Sequence, residues 1–169
     1  MKNIVLIGMP GVGKSTLGVI LAKVLGYQFV DTDLIIQEEE KCLLSELIDK
    51  LGVDEFVKIE NRIVSSIDVD KTVIATGGSV VYGKDAMNKL KELGVIIYIE
   101  QCFDTIQKRV ENIHGRGVVL KHNQTFEDLY KERIALYKKY ADITINQGDN
   151  DVESTLNSVI EKLKKQKNS

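Results

Sequence analysis

The chain has 169 residues, of which 43% are hydrophobic and 28% are charged. This length and composition are typical of one globular domain, so they exclude disordered and fibrous classes of protein. Lys and Arg number 23 against 25 Asp and Glu, which gives a formal net charge of −2 and excludes the strongly basic surface that nucleic-acid-binding proteins need.

The predicted elements alternate between strand and helix. A buried strand over 2–7 precedes a helix over 14–25 that Gly26 ends, and a short strand over 27–30 precedes a charged helical region over 34–68 with a break near Gly52. A strand over 72–76, a helix over 84–93, a strand over 95–99, a helix over 103–113 and a polar loop over 114–124 follow. The chain closes with a helix over 126–140, a strand over 142–145 and a helix over 152–165. This alternation favours an α/β fold, a parallel sheet covered by helices on both faces.

No apolar run is long enough to cross a membrane, and the first one is too short for a signal peptide. Cys42 and Cys102 lie far apart in no CxxC pair, which predicts two free thiols rather than a zinc site or a disulfide. We therefore expect a single domain over 1–169, monomeric and cytoplasmic, with no membrane or nucleic-acid partner and with a small molecule as substrate.

A phosphate-binding loop follows the first strand. Residues 8–15 read GMPGVGKS, which fits the P-loop pattern GxxxxGK[ST] and lies between a strand and a helix, as the pattern requires. Glycines let the loop turn its N–H groups inward, and the N-terminus of the following helix adds positive potential. We expect Lys14 to reach the β- and γ-phosphates of a nucleotide and Ser15 to ligate Mg²⁺.

A P-loop alone does not define a reaction. A GTPase would carry an NKxD motif after a strand, and this sequence has none; its one DxxG match, at 49–52, falls at a predicted helix end. Helicases and transporters need a longer chain. A small kinase with one nucleotide site and one acceptor site remains.

Two aspartates follow the second strand. Asp31 and Asp33 alternate along what we predict to be an extended segment at the carboxyl end of that strand, where parallel sheets bind their ligands. One carboxylate would join the Mg²⁺ shell and the other would accept a proton or a hydrogen bond from the attacking hydroxyl. The alternative is a helix N-cap, since Asp and Thr often begin helices. The neighbouring P-loop favours the functional interpretation.

These motifs together resemble those of the shikimate kinase family, in the nucleoside-monophosphate-kinase-like group of P-loop proteins. The residues that carry the resemblance are 8–15, 31–33, Phe56 with Glu60, Gly77-Gly78, Arg116, and Arg133 with Tyr137. The resemblance implies a five-stranded parallel sheet flanked by helices, a helical substrate-binding segment at about 34–62 and a lid loop at about 113–124. It also implies that ATP, with Mg²⁺, phosphorylates a hydroxyl of shikimate to give 3-phosphoshikimate.

The resemblance also implies roles for individual residues. Asp31, with Ser15, falls at the metal, Asp33 on the substrate hydroxyls and Arg133 on the substrate carboxylate, while Arg109 falls against adenine. Arg116 falls at the transferring phosphate; it lies between two glycines in a loop that would close over ATP and exclude water, although a solvated loop cation is the alternative. The full predicted sets are Lys14, Asp33 and Arg116 for catalysis; Gly11, Val12, Gly13, Lys14, Ser15, Thr16, Arg109 and Arg116 for the nucleotide; and Asp33, Val57, Glu60, Gly77, Gly78, Ser79 and Arg133 for the substrate.

The sequence departs from the family pattern at three places. Val57 stands where the family usually has an arginine, and Lys58 points about 100° away from the helix face that Val57 shares with Glu60. Ser79 replaces the third glycine of a GGG turn, and the lid reads Gly115-Arg116-Gly117-Val118 rather than Arg-Pro. These departures leave open another acceptor, such as a hydroxy amino acid with its ammonium at Glu60 and its carboxylate at Arg133. A non-catalytic nucleotide-binding module is a further alternative. We prefer a kinase with shikimate as its acceptor.

Overall fold

The computed structural model describes residues 2–111, 120 and 122–167. Five strands form one parallel sheet in the order β2-β3-β1-β4-β5. Their bounds are β1 Asn3–Ile7, β2 Gln28–Asp31, β3 Thr72–Ala75, β4 Gly94–Glu100 and β5 Ile143–Asn146. In the register of the sheet, Val5 pairs with Ile74 on one side and with Ile96 on the other. The predicted fold class is confirmed.

Helices cover both faces of the sheet. They are α1 Lys14–Leu25, α2 Thr32–Glu40, α3 Leu44–Leu51, α4 Val53–Ser65, α5 Lys84–Leu93, α6 Phe103–Glu111, α7 Phe126–Tyr140 and α8 Val152–Lys167, with a short 3₁₀ helix over Val80–Tyr82. Within the described ranges, no helix combines the length and the apolar character needed to cross a bilayer.

The predicted helical region over 34–68 is divided more finely than the pattern indicated. The break at Gly52 is confirmed, with φ of 81° at that residue. A second break ends α2 at Lys41, whose φ of 55° is left-handed, and no turn residue at that position signalled it. The extended segment predicted for residues 31–33 is wrong, because α2 begins at Thr32. The predicted helix over 103–113 is described to Glu111, and most of the predicted loop over 114–124 lies outside the described residues.

The core lies between the sheet and its helices. Val5, Leu6 and Ile7 are fully buried on the central strand, and each contributes roughly 1.5–3 kcal/mol by leaving water. A second apolar cluster of Ile36, Leu47, Phe56 and Ile63 holds α2, α3 and α4 together beside the sheet. The carboxyl ends of β1, β2 and β3 therefore face a cleft with helices along one side.

Asn3 joins the amino ends of three chain segments. Its Nδ2 donates to Val69 O at 2.8 Å and to Leu93 O at 3.1 Å, and its Oδ1 accepts from Thr72 N at 2.9 Å. The side chain is 3% exposed, so these backbone groups have little access to water as a substitute partner.

We predict that Asn3→Ala lowers the free energy of unfolding by about 3 kcal/mol, because it leaves buried backbone groups without partners. Denaturant unfolding followed by circular dichroism measures the change. Asn88→Ala, at an exposed position on α5, is the control and should change the stability by less than about 0.5 kcal/mol. Equal losses in the two variants would contradict this role.

Candidate active site

The P-loop turns between the buried end of β1 and the start of α1. Gly13 is the N-cap of α1 with φ of 88°, a backbone conformation that residues with a Cβ rarely adopt. Lys14 is 7% exposed, and its Nζ donates to Gly8 O and Met9 O at 2.8 Å each. The ammonium thus lies inside the turn of the loop, where a bound polyphosphate meets both this charge and the helix N-terminus.

Side chains from distant parts of the chain hold the outer half of the loop. Arg109 Nη1 donates to Gly11 O at 3.1 Å and to Gln147 Oε1 at 3.0 Å, and Gln147 Nε2 donates to Val12 O at 3.2 Å. Gln101 Nε2 in turn donates to Gln147 Oε1 at 3.2 Å. Arg109 therefore supports the loop backbone in this structure. The sequence analysis missed both glutamines because neither belongs to a motif.

A hydroxyl and a carboxylate meet beside Lys14. Ser15 Oγ donates to Asp31 Oδ2 at 2.7 Å, while Asp31 Oδ1 accepts from Asp33 N at 3.0 Å. Asp31 is thus the N-cap of α2, which the sequence analysis gave as the alternative, and its other oxygen meets Ser15, the second residue predicted at the metal. Such oxygen donors suit Mg²⁺, which takes one or two carboxylates and completes its shell with water and phosphates. No group of three or more acidic, His or Cys side chains suited to a metal occurs among the residues described.

A cavity of about 260 Å³ runs from the P-loop to a second group of polar side chains. Its far end is lined by Asp33 on α2, Phe56 and Glu60 on α4, the turn Gly77-Gly78 after β3, and Arg133 on α7. A cavity that opens at the P-loop and ends in charged groups has room for an acceptor beside the nucleotide phosphates.

The Gly77-Gly78 turn lets three charged groups converge. A Cβ at Gly77 would lie 2.7 Å from Asp33 Oδ1 and 2.9 Å from Glu60 Oε2, and a Cβ at Gly78 would lie 2.8 Å from Arg133 Nη1. A Cβ at either position would displace one or more of these charged groups. Gly77 N donates to Thr32 Oγ1 at 3.3 Å, so this amide is engaged within the protein, which differs from its implied role on the substrate.

Arg133 is 1% exposed. Its guanidinium lies over the Tyr82 ring at 5.5 Å from the ring centroid, a cation–π contact. Tyr137, one turn further along α7, donates from its hydroxyl to Gly78 O at 2.6 Å. A plain solvated helix cation, the alternative to a site residue, does not describe this buried guanidinium.

The other cations of the substrate segment face away from the cavity. Lys58 pairs with Glu55 at 2.8 Å with 73% of its side chain exposed, and Arg62 pairs with Glu40 at 2.7 Å. Val57 packs against the apolar cluster of α2, α3 and α4 and is not among the residues that line the cavity. Within the described part of the chain, the cations that line the cavity are therefore Lys14 and Arg133.

Glu60 is a buried acid beside these cations, with 1% of its surface exposed. Ser79 Oγ donates to its Oε1 at 2.6 Å. Burial raises the pKa of Glu60 to about 7; the Ser79 hydrogen bond opposes this rise, Asp33 adds to it, and Arg133 opposes it. Glu60 thus holds its proton to a higher pH than an exposed carboxyl group does.

Arg116 and residues 113–119 of the predicted lid lie outside the described residues. From the predicted sets, the structure brings to one cavity Gly11, Gly13, Lys14, Ser15, Thr16, Asp31, Asp33, Glu60, Gly77, Gly78, Ser79 and Arg133. Thr76 and Gln37 also line the cavity, and the sequence analysis missed them because isolated polar residues give no signal of their own.

The P-loop, the paired hydroxyl and carboxylate, and an acidic acceptor pocket on a five-stranded parallel sheet define a P-loop phosphotransferase for small molecules. The family model described as shikimate kinase matches residues 10–164. The chain belongs to the shikimate kinase family, whose members are ATP-dependent kinases.

Curated relatives and solved structures agree with this assignment. A shikimate kinase from Clostridium botulinum (strain Langeland) is 37% identical over 172 residues, 99% of each chain, and one from Actinobacillus pleuropneumoniae (serotype 5b) is 34% identical over 163 residues, 95% of this chain and 94% of that one. The structure of Acinetobacter baumannii shikimate kinase in complex with shikimate superposes with a TM-score of 0.88 at 26% identity, covering 99% of this chain and 95% of that chain. The Aquifex aeolicus enzyme gives a TM-score of 0.79 at 27% identity, covering 96% of each.

The raised pKa of Glu60 predicts how stability depends on pH. Because the folded state holds the proton more tightly, its stabilising effect is complete below pH 4.5 and is lost as pH rises through about 7. The total fall in the free energy of unfolding is up to about 3 kcal/mol. Glu60→Gln stays neutral and should lack this fall in denaturant titrations between pH 4 and 8.

Glu55→Gln is the matched control, since Glu55 lies on the same helix with 54% of its side chain exposed. This control should keep the wild-type pH dependence. Parallel curves for wild type and Glu60→Gln would contradict the burial effect.

Proposed function

We propose that this chain transfers the γ-phosphoryl group of ATP to a hydroxyl of shikimate, giving 3-phosphoshikimate. The observation that carries the proposal is the convergence of Asp33 and Arg133 on the Gly77-Gly78 turn, at the far end of the cavity that begins at Lys14. Shikimate carries a carboxylate, which matches the buried guanidinium of Arg133. It also carries hydroxyls, which match the carboxylate of Asp33.

At the nucleotide end, Lys14 and the amides of the P-loop bind the β- and γ-phosphates. Ser15 and Asp31 would hold Mg²⁺, which would supply positive charge against the phosphate oxygens when bound. Arg116 approaches the transferring phosphoryl group from the lid, and Arg109 contacts adenine. The roles of these two arginines come from the family resemblance alone.

At the acceptor end, Asp33 accepts the hydrogen bond of the attacking hydroxyl and takes its proton as the phosphoryl group leaves ADP. Asp33 N donates to Asp31 Oδ1 at 3.0 Å, so the backbone that carries the base is held beside Asp31. Arg133 binds the substrate carboxylate and so orients the ring. The reacting hydroxyl then lies between Asp33 and the phosphates that Lys14 binds, as an in-line transfer requires.

One observation favours a second acceptor class. Val57 supplies no charge beside Glu60, and Glu60 Oε2 has no hydrogen-bond partner among the described residues. A hydroxy amino acid would place its ammonium there and its carboxylate at Arg133. Membership of a kinase family argues against a purely non-catalytic nucleotide-binding module. The monomeric state and the cytoplasmic location stay predictions of the sequence.

A coupled assay of ADP release tests the function. With ATP and Mg²⁺, shikimate should be turned over with a sub-millimolar KM, while hydroxy amino acids such as serine and homoserine should give only background ADP release. Lys14→Ala should abolish turnover, because it removes the cation at the phosphates, while circular dichroism shows an intact fold.

Lys23→Ala is the control for Lys14→Ala, because Lys23 is exposed on the same helix, and it should keep the wild-type rate. Wild-type kcat in Lys14→Ala, or efficient turnover of a hydroxy amino acid in place of shikimate, would overturn the proposal.

Arg133→Lys tests the carboxylate contact. Lysine keeps the charge but lacks the two parallel N–H donors, so the KM for shikimate should rise about 10- to 100-fold with the KM for ATP unchanged. Steady-state kinetics measures both constants. Lys131→Ala, at an exposed residue of the same helix, should change neither. A matching rise in the KM for ATP would show that Arg133 serves the fold of the whole site instead.

A further inference from the structure

The side-chain amide of Gln147, just after β5, lies behind the P-loop and is buried, with 6% of the residue exposed. Its Oε1 accepts from Arg109 Nη1 at 3.0 Å and from Gln101 Nε2 at 3.2 Å, and its Nε2 donates to Val12 O at 3.2 Å. A guanidinium only donates and a carbonyl only accepts. The partners of this amide therefore fix which way round it lies.

The backbone of Gln147 is held as firmly as its side chain. Gln147 N donates to Glu100 O at 2.9 Å, and Gln147 O accepts from Asn150 N at 2.9 Å. Gln101, which is 3% exposed, also donates from Nε2 to Gly148 O at 2.8 Å. These bonds attach Gln147 to the end of the sheet and to the segment that follows β5. It is therefore a fixed support against which the P-loop lies.

Two carbonyl groups of the P-loop are bound from this side. Gly11 O accepts from Arg109 Nη1 at 3.1 Å, and Val12 O accepts from Gln147. The peptide bonds here are trans, and in a trans peptide the C=O and N–H groups point in opposite directions. The N–H groups of Val12 and Gly13, which share these two peptide planes, therefore point away from the supporting side chains.

These N–H groups point to the interior of the loop. Val12 N donates to Met9 O at 3.4 Å, and Lys14 Nζ donates to the same oxygen at 2.8 Å. Gly13 and Lys14 line the cavity, whereas the two supporting side chains do not. The arginine and the glutamine thus act on the loop from outside the space that a polyphosphate would occupy.

The loop needs this support because its glycines do not fix its shape. Gly11 and Gly13 have φ of 85° and 88°, and a residue without a Cβ reaches several backbone conformations at low cost. If either peptide plane turned over, its carbonyl oxygen would face the phosphates in place of its N–H group, and inward N–H groups are what make such a loop bind anions. Turning the plane would also break its bond to the supporting side chain, so the support disfavours that change.

We propose that Gln147 is a positioning residue of the nucleotide site, which keeps the N–H groups of Val12 and Gly13 directed at the phosphates. It holds one peptide plane itself and the other through Arg109. The inference deepens the proposed function and rests on it for the identity of the nucleotide. It assigns a contribution to phosphate binding to a residue that lies outside the cavity.

Isothermal titration calorimetry with two ligands tests this role. ATP with Mg²⁺ carries the base and the phosphates, and inorganic tripolyphosphate with Mg²⁺ carries phosphates alone; displacement of ATP extends the measurement to weak binding of tripolyphosphate. Gln147→Met keeps the length of the side chain but loses its hydrogen bonds. The Kd of both ligands should rise by the same factor, about tenfold. The Kd of shikimate should stay unchanged, which would show that the acceptor end of the site is intact.

A charged variant separates support of the loop from support of Arg109. In Gln147→Glu, the carboxylate still accepts from Arg109 but cannot donate to Val12 O, and it adds negative charge behind the phosphates. The Kd of both ligands should therefore rise more than in Gln147→Met.

Gln101→Met gives a second measurement if the Gln147 variants fold poorly. It removes the donor to Gln147 Oε1 and leaves the bond to Val12 O in place, so both Kd values should rise together by a smaller factor. Gln107→Met is the matched control, since Gln107 is exposed on α6, the helix that carries Arg109. It should change neither Kd.

Three results would overturn the inference. They are a Kd that rises for ATP and not for tripolyphosphate, which would locate the effect at the base, wild-type Kd values in Gln147→Met, and wild-type Kd values in Gln147→Glu. If those variants do not fold, wild-type Kd values in Gln101→Met would overturn it.

Because binding is measured without turnover, the inference and the proposed function fail separately. If the wild-type protein binds both phosphate ligands but does not phosphorylate shikimate, only the proposed function fails. If it phosphorylates shikimate and the Gln147 variants bind both ligands as the wild type does, only the role of Gln147 fails.

Discussion

The site depends on the carboxylate of Asp31, which accepts one hydrogen bond on each of its two oxygens. Asp31 Oδ2 accepts from the Ser15 hydroxyl at 2.7 Å, and Asp31 Oδ1 accepts from the Asp33 amide at 3.0 Å. The first bond reaches the P-loop, and the second begins the helix that carries the candidate base. Because one side chain makes both bonds, the start of the P-loop helix and the start of α2 are held at a fixed separation. In-line transfer requires this kind of fixed separation.

The acceptor pocket buries side chains of opposite charge close to one another. Arg133 is buried, and two acidic side chains, Asp33 and Glu60, lie close to it. Burying a charge is costly unless an opposite charge or a hydrogen bond compensates for it. An anionic substrate adds one further negative charge, and the raised pKa of Glu60 lets that residue carry a proton in response. In its protonated form Glu60 adds no negative charge beside Arg133, although Val57 supplies no second cation.

Much of the fold could be predicted from local patterns. Each of the five strands was predicted within two residues of its observed bounds, and the αL residue Gly26 ends α1 as expected. The errors fell where local signals were weak or ambiguous. The break at Lys41 has no glycine or proline to mark it, and α2 begins at Thr32 because Asp31, which we had predicted as a metal ligand on an extended segment, caps the helix. Both errors lie at the ends of α2, where capping and local backbone conformation rather than periodicity set the boundary.

The sequence by itself determined the nucleotide end of the site, because the spacing of 8–15 and its place between a strand and a helix are local properties. Only the tertiary structure decided the acceptor end. It buried Arg133 beside Gly78, turned Lys58 and Arg62 away toward Glu55 and Glu40, and joined Ser79 to Glu60. Apart from the Lys58–Glu55 pair within α4, those contacts link groups on separate elements of the fold. Which partner each side chain meets depends on how the helices pack against the sheet, and no short sequence pattern encodes that packing.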